Sequence, residues 1–253
     1  MNETAVQFGP ALAVVLLVLT AAAAAVVRWG GLGRGREVVV ASVRAVGQLG
    51  AVSLVIALVL SSFALAGLFI LGMFTIAALT SARRAGSWRL APWTAVAIGS
   101  GAGPVLALVW GSGAVPAAPL AWIPVAGIVV GGSMSATSQA ARRALDELEF
   151  RAGEVEAALS LGMTPRSAAL EICRPSAGHA LIPALDQTRT VGLVTLPGSY
   201  VGLLLGGASP LEAGLAQLLV LIALLAAEAV AVLTTVELVA AGRLGDPARP
   251  RRA

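Results

Sequence analysis

The residues of this chain that could do chemistry are few, and most of them sit where a charge is costly. Glu228 lies near the middle of a long apolar run; Arg44 lies about seven residues inside another, with Gln48 one turn deeper on the same face. Side chains of this kind in hydrocarbon must face protein or water, which marks them as candidates for a translocation path. Arg44 is the natural partner for Glu228, although at a depth of roughly 10 Å (1.5 Å per residue) an arginine can instead snorkel to the interface. Asp186 and Arg189, three apart at the start of a later run, are spaced either for an intrahelical ion pair of small worth or for a gate. Pro197 and Gly198 interrupt that same run. A proline there removes a helix hydrogen bond and frees carbonyls, making either a packing kink or a broken stretch that lines a wet cavity, where transporters bind substrate.

Other chemistry is excluded. One cysteine, Cys173, and one histidine, His179, rule out a disulfide framework and a Cys/His metal cluster. Met73, Met134 and Met163 are scattered in the manner of gap-fillers. No Ser/His/Asp set, HExxH run or paired carboxylates fall in one segment, so no catalytic, cofactor or resident metal residues are expected. All 17 basic residues are arginine. A P-loop needs its lysine on the β/γ-phosphates, so ATP hydrolysis must come from a partner chain. No nucleic-acid partner is expected.

The elements that must carry these residues are membrane spans. Hydrophobic residues make up 58% of the chain and charged residues only 12%, far below the quarter usual for a soluble domain. About seven apolar segments approach the roughly 20 residues needed to cross the hydrocarbon core: 10–27, 38–60, 63–81, 92–111, 120–138, 190–207 and 212–240. Arginines cluster in alternate loops: Arg28, Arg34 and Arg36, then Arg83, Arg84 and Arg89, then Arg142 and Arg143, and finally Arg243, Arg249, Arg251 and Arg252. The intervening loops at 61–62, 112–119 and 208–211 have none. By the positive-inside rule the N-terminus is outside and the C-terminus cytosolic, in a multi-pass protein of the cell inner (plasma) membrane. The start, MNETAVQFGP, has Glu3 and no basic residue, so 10–27 reads as a retained anchor rather than a cleaved signal. The expected architecture is all-α: a polytopic membrane helix bundle forming one domain over 1–253.

The stretch 139–187 differs in character. Leu145, Leu148, Ala152, Val155 and Leu159 form one helical stripe, with Arg142/Asp146, Arg143/Glu147 and Glu147/Arg151 spaced four apart opposite it. The fifth span therefore continues as an amphipathic helix into the cytosol. Gly162 supplies a stop. Thr164 and Pro165 supply the cap and first turn of a second helix, ended near Pro175. The product is a cytoplasmic helix–turn–helix elbow between the fifth and sixth spans. Local chemistry alone also fits an ordinary surface hairpin. However, the run EAALSLGMTPRSAALEICRP at 156–175 resembles the EAA loop of ABC-transporter permeases, which seats on the ATPase: Glu156, Ala157, Ala158, Gly162, Ile172 and Pro175 match in spacing. Arg174 departs, standing where that loop usually has an aliphatic residue.

A second resemblance covers most of the chain from about residue 38. IPALDQTRTVGLVTLPGSYVGLLLGGASPLEAGLAQ at 182–217 and IPVAGIVVGGSMSA at 123–136 are similar to the FetB-type iron-export ABC permeases, a family that includes the plant aluminium-tolerance permeases. The resemblance implies a permease that pairs with a separate ATPase subunit and exports its substrate, with iron proposed in bacteria. It adds Gln217 to the pathway candidates and favours the gate at Asp186 and Arg189. Ser199 and Tyr200 stand where the family usually carries one or two methionines. Glycine pairs at four-residue spacing (Gly99 and Gly103, Gly127 and Gly131, Gly198 with Gly202 and Gly206) read as close helix contacts, one of them a candidate dimer seam. Seven spans and one elbow per chain make a two-fold homodimer with two ATPase subunits the natural closure. An importer permease, an exporter of a non-metal small molecule and a non-transporting membrane scaffold stay open as alternatives.

Overall fold

A computed structural model of the chain describes residues 9–245; Glu3, Arg249, Arg251 and Arg252 lie outside them. The described residues form α-helices joined by short turns and fall into two compact units, within Met1–Ser61 and within Ser62–Ala253.

The first unit is a helical hairpin of α1 (Pro10–Trp29) and α2 (Gly35–Val59). Gly31 and Gly33 adopt φ of 68° and 70° in the connecting turn, which L side chains rarely adopt. Gly35 lets the two helices close: a Cβ there would stand 3.1 Å from the carbonyl oxygen of Ala24. The long apolar faces of both helices are exposed, as expected of surface that lipid covers.

The second unit holds α3 (Phe63–Arg84), α4 (Ala91–Gly111), α5 (Pro119–Phe150), α6 (Ala152–Ser160), α7 (Pro165–Gly178), α8 (Ile182–Thr190), α9 (Gly198–Leu205) and α10 (Pro210–Ala240). Helix starts follow from local chemistry. Ser62 caps α3, accepting from the Ala64 N–H at 3.2 Å. Ser209 and Glu212 form a reciprocal capping box on α10, with Pro210 in its first turn. α10 packs on both α4 and α5, and α3 on α4 and α5. Phe63, Trp110 and Trp122 meet at one end of these helices, the two indoles stacked 4.6 Å apart. At the other end Arg243 lies 4.9 Å from the Trp93 ring. An aromatic girdle at one end and arginines at the other suit the two faces of a bilayer.

Helices in lipid gain little from hydrophobicity and associate through close packing and hydrogen bonds. The core accordingly consists largely of alanine, including the fully buried Ala97, Ala126, Ala140, Ala144, Ala227 and Ala231. Polar stitches cross between helices in this core, among them Thr94 to the Ala78 carbonyl at 2.8 Å, Ser138 to Ser81 at 3.1 Å and Ser100 to Thr234 at 2.9 Å. The tightest approaches fall at glycines outside most of the expected pairs. A Cβ on Gly101 would lie 2.2 Å from the Ala227 carbonyl oxygen, and one on Gly132 would lie 2.2 Å from Leu224 Cδ1 and 2.5 Å from Glu228 Oε1. Gly127 does abut Met73 and Gly99 abuts Phe74, but Gly103, Gly131, Gly198 and Gly202 have open space beside them.

Six described helices are long and apolar enough to cross a membrane: α1, α2, α3, α4, α5 and α10. The expected seventh, 190–207, is not one continuous helix: it is broken, as Pro197 and Gly198 suggested, and the break begins earlier, at Val191. α8 stops at Thr190, Val191 is extended (φ −60°, ψ 134°), Gly192 has φ +78°, and a new helix starts only at Gly198, with Pro197 as its cap. A correction concerns Pro175. It does not end α7, which runs to Gly178. The lost hydrogen bond is tolerated because Ile172, Cys173 and Ala177 are buried against α5 and α10 on either side of the proline.

Two outcomes test this packing. Gly101→Ala forces a backbone contact apart and is expected to cost about 1–3 kcal/mol, whereas Gly103→Ala, with room around it, should be neutral or stabilising by up to about 1 kcal/mol from helix propensity. Thermal unfolding in detergent separates them; equal losses would contradict the described α4–α10 contact. Burial pushes the Cys173 thiol up to about 11, so the uncharged thiol persists well past neutral pH. Its contribution to stability is present at neutral pH and is lost as pH rises toward 11. At pH 8 this sole cysteine should alkylate about 100-fold more slowly than in the unfolded chain, read by mass spectrometry.

Candidate translocation cleft and elbow

The break between α8 and α9 builds a cleft. Residues 190–195 fold back on themselves: Gly192 N–H donates to the Thr195 carbonyl at 2.9 Å, and the amides of Leu193, Val194 and Thr195 all converge on the Thr190 carbonyl. With Thr190 so occupied and Pro197 lacking an N–H, the carbonyls of Val191, Gly192 and Leu196 accept no backbone hydrogen bond among the described residues. These three residues, with Pro197 and Tyr200, face Gln217, Leu218 and Leu221 of α10 across a cleft of about 360 Å³. Irregular backbone of this kind is stable at membrane depth only beside protein or a wet cavity.

Gln217 is buried, 5% exposed, and its Oε1 accepts from the Ser199 hydroxyl. That bond leaves the Gln217 amide nitrogen as the free polar end of the side chain. The cleft is thus uncharged, with carbonyl oxygens, an amide and the Tyr200 ring around an apolar floor. Such a lining can orient a small polar or partly hydrated solute while binding it weakly enough to release it.

Of the pathway residues expected from sequence, the structure brings Pro197 and Gln217 together at this cleft, while Gly198 begins α9 next to it. Glu228 is buried, 7% exposed, three turns further along the same stripe of α10, about 16 Å from Gln217 at 1.5 Å per residue. Its carboxyl fills the space left by the missing side chain of Gly132. Within the Ser62–Ala253 unit no described residue hydrogen-bonds or ion-pairs with it. Asp186 and Arg189 lie on α8 and do form the three-apart ion pair, at 3.6 Å, both largely exposed. Arg44 and Gln48 are exposed on α2 of the first unit.

The elbow residues fall at a sharp helix–turn–helix. α5 runs on to Phe150, bends at Arg151 (φ −107°, ψ 30°) and continues as α6. Leu145 and Leu148 are buried and Val155 half-buried, but Ala152 and Leu159 are exposed, so the stripe is covered only in its first half. Arg151 pairs with Glu147 at 3.6 Å and forks onto Glu154. That guanidinium holds the Glu154 carboxyl below the usual carboxylate range. Gly162 turns the chain at φ +87°. Thr164 Oγ1 then caps α7, accepting from the Ser167 N–H at 3.2 Å, with Pro165 at its first position. α6 has no buried residue. Glu156 and Ala157 are exposed, Ala158 is half-buried, and Phe150 and Leu161 stand out at 88% and 86% exposure. Sequence reasoning missed Ser199 as the partner of Gln217 and missed Glu237, which Arg166 and Arg174 of α7 both contact. The one available signal was Arg174 itself, an arginine at an aliphatic position.

Comparison with known proteins places these features in a family. STAR2, a UPF0014 membrane protein of Oryza sativa subsp. japonica, is 36% identical over 205 residues, 79% of this chain and 71% of the relative. Protein ALUMINUM SENSITIVE 3 of Arabidopsis thaliana is 40% identical over 113 residues, 45% of this chain and 41% of that protein. The probable iron export permease protein FetB of Escherichia coli (strain K12) is 35% identical over 130 residues, 51% of this chain and 50% of FetB. No solved structure matches. The family described as Uncharacterised protein family (UPF0014) matches residues 11–242, nearly the whole described chain, and the protein, a multi-pass membrane protein built of apolar helices, belongs to that family.

Proposed function

We propose that this chain is the transmembrane permease subunit of an ABC transporter, exporting a metal ion under the drive of a separate ATPase subunit. The observation that carries the reading is the elbow. α6 and the Gly162 turn have no buried residue and present Glu156, Ala157 and Leu161, with the exposed Phe150 just before them at the end of α5. A flat small-residue surface with exposed apolar side chains and a rim carboxylate suits a groove on another protein, the carboxylate setting orientation more than affinity. The chain itself contains no lysine for a P-loop, so the nucleotide belongs to that partner.

The cleft at Pro197 and Gln217, beside Gly198, is the proposed substrate path, with Asp186 and Arg189 at its mouth and Glu228 further along α10; Arg44 and Gln48, on α2 of the first unit, are pathway candidates by their sequence alone. FetB, a relative, bears the name of a probable iron export permease, which supports iron as the first cargo to test. Each copy contributes one elbow and one cleft, so two copies related by a two-fold axis, with two ATPases, complete the assembly. With the broken 182–205 segment crossing the bilayer, the N-terminus lies outside and the C-terminus in the cytosol of the plasma membrane.

The test is assembly and flux. Co-expressed with its ATPase subunit, the chain should co-purify with it and drive ATP-dependent movement of Fe²⁺ in proteoliposomes. Gly162→Pro imposes φ near −65° on a turn built at +87°, and Glu156→Lys reverses the rim charge; each should lower ATP-driven flux by about tenfold or more. Unchanged assembly and flux in both variants would remove the elbow from the mechanism.

A further inference from the structure

Arg174, the residue out of place in the coupling-loop pattern, has a partner. Its Nη2 lies 3.2 Å from Glu237 Oε1, while Arg166 Nη2 contacts Oε2 of the same carboxylate. The arginines stand eight residues apart, about 12 Å along α7, so one carboxylate near the end of α10 gathers the first turn and the third turn of the elbow's second helix. The contacts bridge 63 and 71 positions of sequence, whereas the ion pairs at Arg34, Arg151 and Arg189 join residues three or four apart. Beneath them Ala169, Ile172 and Cys173 are buried with Val232, Val236 and Val239 of α10. The apolar layer supplies adhesion. The paired guanidinium groups, half-exposed beside a carboxylate at 32% exposure, add little adhesion of their own but fix the register in which α7 lies on α10.

The two halves of the elbow are therefore anchored differently. α6 buries nothing and ends at a glycine turn, whereas α7 is packed and charge-locked onto the last long helix. We propose that Glu237, held by Arg166 and Arg174, is a strut. It keeps α7 and α10 moving as one body, so that displacement of the elbow reaches the helix that carries Gln217 and Glu228. This rests on the permease reading above. Glu237, Arg166 and Arg174 are positioning residues in it and touch no cargo.

The experiment uses the full chain with the ATPase subunit that co-purifies with it, in proteoliposomes, with Fe²⁺ as cargo. Glu237→Gln should leave assembly and ATP hydrolysis nearly intact while ions moved per ATP fall about tenfold. In a Cys173→Ala background, Arg174→Cys with Glu237→Cys removes the strut. Joining those thiols with a short, reducible bis-methanethiosulfonate should restore the ratio to within about twofold of the parent, and reductant should abolish it again. A merely structural ion pair would not respond in this reversible way. Spin labels at Ser176 and Leu238 read the same property without cargo: nucleotide binding should leave their separation unchanged in the parent and shift or broaden it in Glu237→Gln. A variant that keeps the parent's ratio, a cross-link that fails to restore it, or label distances that change equally in both proteins would overturn the strut. A parent chain that binds no ATPase would instead overturn the permease reading, and the strut with it.

Discussion

The structure depends on how closely α10 lets its neighbours approach. With lipid on the outside there is little hydrophobic drive between helices, so adhesion must come from contacts at short range. α10 achieves this with alanine on the faces that meet α4 and α5, and with glycine opposite: Gly101 lies against the Ala227 carbonyl, and Gly132 against Leu224 and Glu228. A buried carboxyl side chain can be housed in the same seam only because one neighbour has no side chain at that point. Close packing and the burial of Glu228 are thus one constraint seen from two helices.

The cleft obeys the complementary rule. Backbone amides and carbonyls cannot be left bare in hydrocarbon, yet the segment between Thr190 and Gly198 leaves several carbonyls without backbone partners. The fold contains the damage by folding the amides of 192–195 back locally and by setting the break beside the buried Gln217. A long apolar helix would have been cheaper to build. The irregular stretch therefore reads as a feature kept for what its exposed oxygens can do.

Much of this was legible in the residues. Gly162 marks the turn, Thr164 the cap and Pro165 the first turn of α7, because each of these acts through its own backbone neighbours; the same chemistry starts other helices at Ser62, Pro119, Ser209 and Pro210. Hydropathy placed the six long helices for the same reason. It could not show where 190–207 breaks: Leu193, Val194 and Leu196 are as apolar as any span, and Pro197 signalled an interruption, but the turn at Gly192 also decides the conformation. Glycine spacing likewise pointed to Gly103 and Gly131 when the tight contacts were at Gly101 and Gly132; spacing defines a face, and only the packed neighbour says whether that face is used. The Glu237 cluster was out of reach entirely, since it joins positions more than 60 residues apart.

These features converge on one element. α10 is 31 residues long, about 46 Å at 1.5 Å per residue, and is free of internal proline after its first turn. It carries Gln217 on the cleft, Glu228 in the α5 seam and Glu237 under α7. A straight helix seated this tightly cannot bend to absorb a displacement at one end; it can rotate or slide, and either motion changes what faces the cleft about 30 Å from Glu237. The broken segment packed on α10 is the compliant part, since its short helices are joined by non-helical backbone. A rigid lever against a soft wall is the arrangement in which a push at the elbow would change the cleft rather than be lost in the bundle.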